Sequence, residues 1–236
     1  MTNLTLRKED IMKTITNLVS ACTLTAGIFT TANATIIINE VDYDQAGTDA
    51  AEFIELFNPG PGTVDLGGYV LKLMSETPDN IYRNFDLAGH ALQAGGFLVI
   101  CGDASAVSNC DIDSAKDTNM IQNGPSDGIA LFSGTTLIDS MTYEGIIPGI
   151  TEGSGGAAAD KNSGVMSISR LPNGQDTNNN AADFGQGCIT PGSANISGSG
   201  NCSKIAAGQV PAPPVAWLLG SGLLCILMHS KRMTRQ

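Results

Sequence analysis

The chain has 236 residues, with 28 Gly and only 7 Phe, 4 Tyr and 1 Trp, a length that fits one ordinary domain plus appendages. Arg7, Lys8 and Lys13 at the start and Lys231, Arg232 and Arg235 at the end leave a middle with 6 basic and 21 acidic residues, a net of −15, which repels phosphate backbones and excludes nucleic-acid binding through basic patches. A hydrophobic content of 42% suffices for a core, while two histidines in all, His90 and His229, argue against a His-rich metal site or a two-His mechanism.

The start reads as a secretory signal. Lys13 is followed by an uncharged stretch through Thr31, then by Ala32-Asn33-Ala34, with Ala32 and Ala34 at the small positions of a cleavage site. Met12-Lys13 makes a more conventional beginning than Met1. Residues 1–34 are therefore expected to be a signal helix, removed on export.

From Thr35 onward short apolar runs alternate with Gly, Pro, Asn and Asp. The runs at 36–41, 52–57, 69–73, 96–101, 128–132, 136–143 and 165–170 are expected strands. No long stretch of the body shows a 3.6-residue apolar period. The expectation is all-β, an antiparallel sandwich over residues 35–195. Within 52–57, alternation places Phe53, Glu55 and Phe57 on one face and Glu52, Ile54 and Leu56 on the other, so one glutamate must point to a more buried side or an edge. Residues 149–164 lack hydrophobic drive and are expected to form a mobile surface loop. Residues 196–209, rich in Gly and Ser, read as a flexible spacer.

Cys22 falls in the leader and Cys225 in the terminal apolar run, leaving Cys101, Cys110, Cys188 and Cys202 in the body. An even number in an exported body favours disulfides. Three connectivities are open, and the local one, Cys101–Cys110 with Cys188–Cys202, closes two short loops. A structural zinc site is the rival, but the spacings are unlike the close Cys pairs of zinc modules.

Calcium is the best case for a bound ion. Asp176, Asn178, Asn180 and Asp183 offer hard oxygen ligands on a loop that resembles the start of a D-x-N-x-N motif, although the Gly and distal Glu of an EF-hand are missing. Asp42, Asp44 and Asp49 form a weaker cluster. No cofactor is otherwise expected. Catalytic residues are expected to be none: His90 sits alone in a Gly-rich turn, and there is no Gly-x-Ser-x-Gly elbow and no phosphate-binding loop with Lys.

The C-terminal segment 210–236 has a Pro-rich knuckle, an apolar run and a basic tail. The run Val215–Met228 spans about 21 Å as a helix, short of the ~30 Å hydrocarbon core. Its terminal position, the Lys231-Arg232 stop and Trp217 near the interface nonetheless favour a transmembrane anchor with a cytoplasmic C-terminus. The segment resembles the PEP-CTERM class of bacterial sorting signals in Val210, Pro211 and Pro213, in Trp217-Leu218 and in Gly220-Ser221-Gly222-Leu223-Leu224. It departs from the class in carrying Val-Pro-Ala-Pro for Pro-Glu-Pro. The resemblance implies exosortase-type sorting machinery as a partner and a final place on the cell surface or in the extracellular matrix.

The body resembles the lamin tail domain, an immunoglobulin-like β-sandwich. The match opens with Ile38-Asn39-Glu40-Val41-Asp42-Tyr43-Asp44 and Glu52-Phe53-Ile54-Glu55-Leu56-Phe57-Asn58, and continues through Leu66-Gly67-Gly68-Tyr69 and Leu92-Gln93-Ala94-Gly95-Gly96-Phe97. It closes with Ser169-Arg170-Leu171-Pro172-Asn173-Gly174 and Thr190-Pro191-Gly192-Ser193. The resemblance implies that Glu52 and Glu55 tie down backbone amides. It also implies a non-enzymatic binding or interaction module for an unknown surface or matrix protein or glycan. The alternatives are a structural matrix or biofilm component, and a calcium-dependent carbohydrate or protein binder.

Overall fold

A computed structural model describes residues 36–198 and Cys202. The expected signal, most of the expected spacer and the sorting segment lie outside the described residues. In chain order the strands are β1 (Ile37–Asp42), β2 (Phe53–Phe57), β3 (Val64–Asp65), β4 (Tyr69–Ser75), β5 (Ile81–Asp86), β6 (Ala91–Leu92) and β7 (Phe97–Cys101). They continue with β8 (Ile112–Asp113), β9 (Asp127–Ser133), β10 (Thr136–Tyr143), β11 (Met166–Arg170), β12 (Phe184–Cys188) and β13 (Ile196–Ser197). One four-residue helix, α1 (Asn180–Asp183), precedes β12. Among the described residues no helix is long and apolar enough to cross a membrane.

The strands form a seven-stranded sheet, β13-β12-β11-β1-β2-β7-β8, a four-stranded sheet, β10-β9-β4-β5, and the small pair β3-β6. All pairings are antiparallel except β7 with β8. Between the two large sheets lies one apolar core. Ile38, Val41, Ile54, Leu56, Ile100 and Ile168 come from the first sheet, and Leu71, Leu73, Ile129, Leu131, Met141 and Tyr143 from the second. Tyr43 stacks on Tyr143 at 4.3 Å between ring centroids, joining the end of β1 to the end of β10. A mostly β molecule with two facing sheets agrees with a lamin-tail-type β-sandwich.

A bulge in β1 decides where the polar groups go. Ile38 pairs with Leu56, but Glu40 pairs with Glu55, so Asn39 is the extra residue. Without it, alternation would carry Glu40 into the core beside Ile36 and Ile38. With it, Val41 takes the core position and Glu40 turns to the outer face. On β11 the alternation runs cleanly. Ile168 and Arg170 point inward, while Ser167 and Ser169 point outward beside Glu40.

Two expectations need correction. The stretch 149–164 is not a loose loop: Ile150 and Ala157 are buried, the Ala157 amide bonds the Thr142 carbonyl at 2.6 Å, and Asp160 is bonded to β1's end. Polar anchors, invisible to a reading based on hydrophobic drive, fasten it. The sheet also runs past residue 195, since Ile196 and Ser197 pair with β12. Glu52 and Glu55 are both fully buried, and each accepts from backbone amides.

Candidate functional site

Two polar centres stand out, one on each side of the seven-stranded sheet. The inner one is built on Arg170, whose side chain is 0% exposed. Its inward position follows from β11's alternation, and it stacks over Phe184 of β12, 4.5 Å from the ring centroid. Its Nε donates to the Ile38 carbonyl at 2.7 Å, so the guanidinium closes onto β1. Nη2 donates to Asp139 Oδ1 of β10 at 2.9 Å, bridging the two sheets. Nη1 donates to Asp183 Oδ2 at 3.1 Å and to Asp176 Oδ1 at 3.2 Å.

The four residues expected to hold calcium do not form one ligand set. Asp176 and Asp183 converge on Arg170. Asp183 also accepts from the Thr177 hydroxyl at 2.6 Å and the Thr177 amide at 2.8 Å. Burial works against its charge, but those bonds, the Asn179 amide and Arg170 hold its carboxyl below the ordinary value. Asn178 is exposed, and its amide donates to Asp176 Oδ1. Asn180 is buried and turned elsewhere. Its Nδ2 donates to the Ser140 carbonyl at 2.8 Å, and its Oδ1 accepts from the Thr142 amide at 3.1 Å and the Glu152 amide at 3.2 Å.

A different triad among the described residues, Asp139, Glu152 and Asp176, brings carboxylate oxygens within 4.8 Å of one another, close enough to share a cation. Burial, then the charges of Asp139 and Asp176, push Glu152 up to about 7. Arg170 already supplies a positive charge there. Arg170, Asp139 and Glu152 escaped the sequence reading. Their one signal was an arginine at an inward position of a strand, in a body with few cations and many acids.

The outer centre lies on the opposite face of β1 and β2. Glu40 Oε1 accepts from Ser167 Oγ at 2.6 Å and the Thr190 amide at 2.9 Å, while Oε2 accepts from Thr190 Oγ1 at 2.8 Å. Glu55 accepts from Asn39 Nδ2 at 2.8 Å and from the Gly192 amide at 2.7 Å. Beside them Asp42, fully buried, faces Asp160, which accepts from the Tyr43 amide at 3.0 Å. Burial first, and the Asp160 charge second, raise Asp42 to about 9. Glu52, on the inner face, accepts from the amides of Met120 and Ile121 and is raised by burial to about 7. Each of these carboxylates fastens a loop to a strand. His90 lies in a turn, its amide bonded to the Leu87 carbonyl and its carbonyl to the Leu66 amide.

Two disulfides complete the picture. Cys101–Cys110 ties β7 to the following loop beside Phe53, Val99 and Val107. Cys188–Cys202 ties the end of β12 to the chain beyond β13. Both point to an oxidising compartment, extracellular or periplasmic.

Residues 30–145 match the family model of the Lamin Tail Domain. No curated protein matches the chain. The matched range ends just after β10, and the seven-stranded sheet is completed by β11, β12 and β13 from beyond it. Over residues 30–145 the chain is therefore similar to the Lamin Tail Domain.

Proposed function

We propose that this is an exported, surface-anchored lamin-tail-domain protein that acts as a non-enzymatic binding or interaction module. The observation that carries the reading is the pair of disulfides, both in one β-sandwich and the second at its C-terminal end. Such bonds persist outside the reducing cytosol. The Ala32-Asn33-Ala34 site and the 210–236 segment, with Val210-Pro211-Ala212-Pro213 and its basic tail, support export and retention at the membrane by exosortase-type machinery. The deeply buried carboxylates serve as anchors that fasten loops to the strands of the sandwich. Fractionation of cells, with protease added outside, tests location. Digestion of the body in intact cells is expected, and full protection with recovery in the cytosol would overturn the reading. Crosslinking on intact cells then identifies the surface or matrix partner.

A second reading, a calcium-dependent binder, is favoured only by the Asp139, Glu152 and Asp176 triad. Calorimetric titration with calcium separates the two.

A further inference from the structure

We infer that the segment Thr190–Asn195 is a proton-dependent strap, closed over the Glu40–Glu55 pair at mildly acidic to neutral pH and released as the pair ionises. Glu40 and Glu55 are directly opposed on antiparallel strands, and both are 0% exposed. Like charges in such positions repel, and burial removes the water that would screen them. The strap is what covers them. Its Thr190 amide and hydroxyl and its Gly192 amide are bonded to the two carboxylates.

Among the described residues no cation is bonded to either carboxylate, and Lys161, next to Asp160, is exposed. The strap itself, Thr190-Pro191-Gly192-Ser193-Ala194-Asn195, has no titratable side chain. On β1 the neighbours are Asn39 and Asp42, on β11 Ser167 and Ser169. The β7 side contributes the disulfide-bonded Cys101 and, beyond it, Asp111, which accepts the Val99 amide. The 157–161 segment contributes Asp160, capped by the Lys161 amide, and the turn after β11 contributes Asn173. Arg170 lies on the inner face, and among the described residues its three partners, Asp139, Asp176 and Asp183, make the only ion pairs.

Burial lifts Glu40 to about 7. Burial, then the Glu40 charge, lifts Glu55 well above the ordinary range. A carboxyl whose closed-form pKa is raised favours closure fully below its ordinary pKa. That contribution is lost as pH rises through the raised value, about 7 for Glu40. The strap's other bonds are to neutral groups, and the Asn195 amide donates to Asn173 Oδ1 at 2.8 Å. Asn109 Nδ2 donates to the Pro191 carbonyl at 2.8 Å, and Asn195 Nδ2 to the carbonyls of Asn39 and Arg170. Gly192 has φ +79° and would drive a Cβ into Asn109, so its backbone seat is narrow. The Cys188–Cys202 bond closes a loop around the strap, so the opened strap stays attached at both ends and its release is reversible.

Hydrogen–deuterium exchange on the full-length chain, corrected for intrinsic rates, tests this at about pH 6 and about pH 9. Protection of residues 189–197 is expected to fall at least about tenfold, since each unit of pKa difference between closed and open forms is a factor of ten in the opening equilibrium. β4 and β9 should keep theirs, and Glu55→Gln should keep the strap closed at the higher pH. Unchanged strap protection, equal loss across β4 and β9, or a folded Glu55→Gln that matches the wild type would overturn the proposal. If that variant does not fold, carboxyl carbon NMR on the wild type decides. Glu40 and Glu55 midpoints well above the ordinary carboxylate range support the strap, and midpoints within it refute it.

Discussion

Arg170 and Asp139 join the two sheets through an ion pair of 2.9 Å in which both side chains are 0% exposed. Arg170 comes from β11 in the seven-stranded sheet, Asp139 from β10 in the four-stranded one. Buried pairs gain little over a well-packed apolar pair, but removing one partner leaves an unpaired charge. Arg170→Leu strips the cation from Asp139, Asp176 and Asp183 at once and orphans the Ile38 carbonyl. A loss of about 3–5 kcal/mol in denaturant unfolding is expected. Adding Asp139→Asn to it should recover part of that loss, because one uncompensated charge is gone. No recovery in the double variant would show that shape, not charge, sets the cost.

Asp42 gives the opposite sign. Its Oδ1 accepts from Gln45 Nε2 at 2.9 Å, and its other oxygen faces Asp160. Burial and that neighbour raise its pKa to about 9, so a proton held there bridges the two carboxyls at neutral pH. The stability that goes with the proton is present below the ordinary aspartate range and falls as pH rises towards about 9. Asp42→Asn replaces the proton with a permanent N–H donor. The variant should melt higher than the wild type above neutrality, by an amount worth about 1 kcal/mol or more, since one pKa unit is about 1.4 kcal/mol. Its melting temperature should also depend less on pH. Thermal unfolding across about pH 5 to about pH 9 checks both, and a steeper pH slope in the variant would contradict the shared-proton account.

These two centres show where sequence patterns inform and where they stop. The seven runs of β-branched and apolar residues all became strands, because each buries one face in the core between the sheets. β5 was missed because it is an edge strand in which only Phe85 is deeply buried, so Ile81–Asp86 looks polar. β12 was missed because Gly185 and Gly187 dilute its pattern, and Ser169 crowds Gly187 so closely that a Cβ would not fit there. The side preference of Ile54 and Leu56 over Phe53 was legible from period two alone. The bulge at Asn39 was not, and it alone turns Glu40 outward. Spacing along the 176–183 loop suggested a ligand set, whereas the fold supplied Arg170 from another strand as the partner of Asp176 and Asp183. Sequence-local motifs do not reveal a cation that arrives from elsewhere in the chain.

That internal cation makes a direct prediction for calcium. Asp183 has its oxygens occupied by Thr177, Asn179 and Arg170, and Asn180 is committed to Ser140, Thr142 and Glu152. Calcium needs six or more oxygen ligands. Added calcium at millimolar level is expected to leave the melting temperature unchanged and to give no saturable heat. A rise in melting temperature that Glu152→Gln abolishes would instead place an ion among Asp139, Glu152 and Asp176.

Asn180 offers the sharpest test of how the exposed side of β10 is finished. β10 is an edge strand of its sheet, and Asn180 meets it as a further strand would. Its side-chain amide donates to the Ser140 carbonyl and accepts from the Thr142 amide, two groups that an open edge would leave bare. The same amide holds Glu152 through the Glu152 backbone N–H and through Oε2 at 3.1 Å. Asn180→Ala leaves these buried groups without partners, at about 1–3 kcal/mol for each group that water cannot reach. Asn180→Asp keeps the bond from Thr142 but loses the donor to Ser140 and sets a further carboxylate against Glu152, beside Asp139 and Asp176. Its loss should therefore exceed that of Asn180→Ala above about pH 7, where Glu152 is ionised, and shrink as pH falls. Denaturant midpoints for both variants on either side of that pH check the order. An Asn180→Asp variant that is the more stable of the two at high pH would mean the side chain is not acting as a strand mimic.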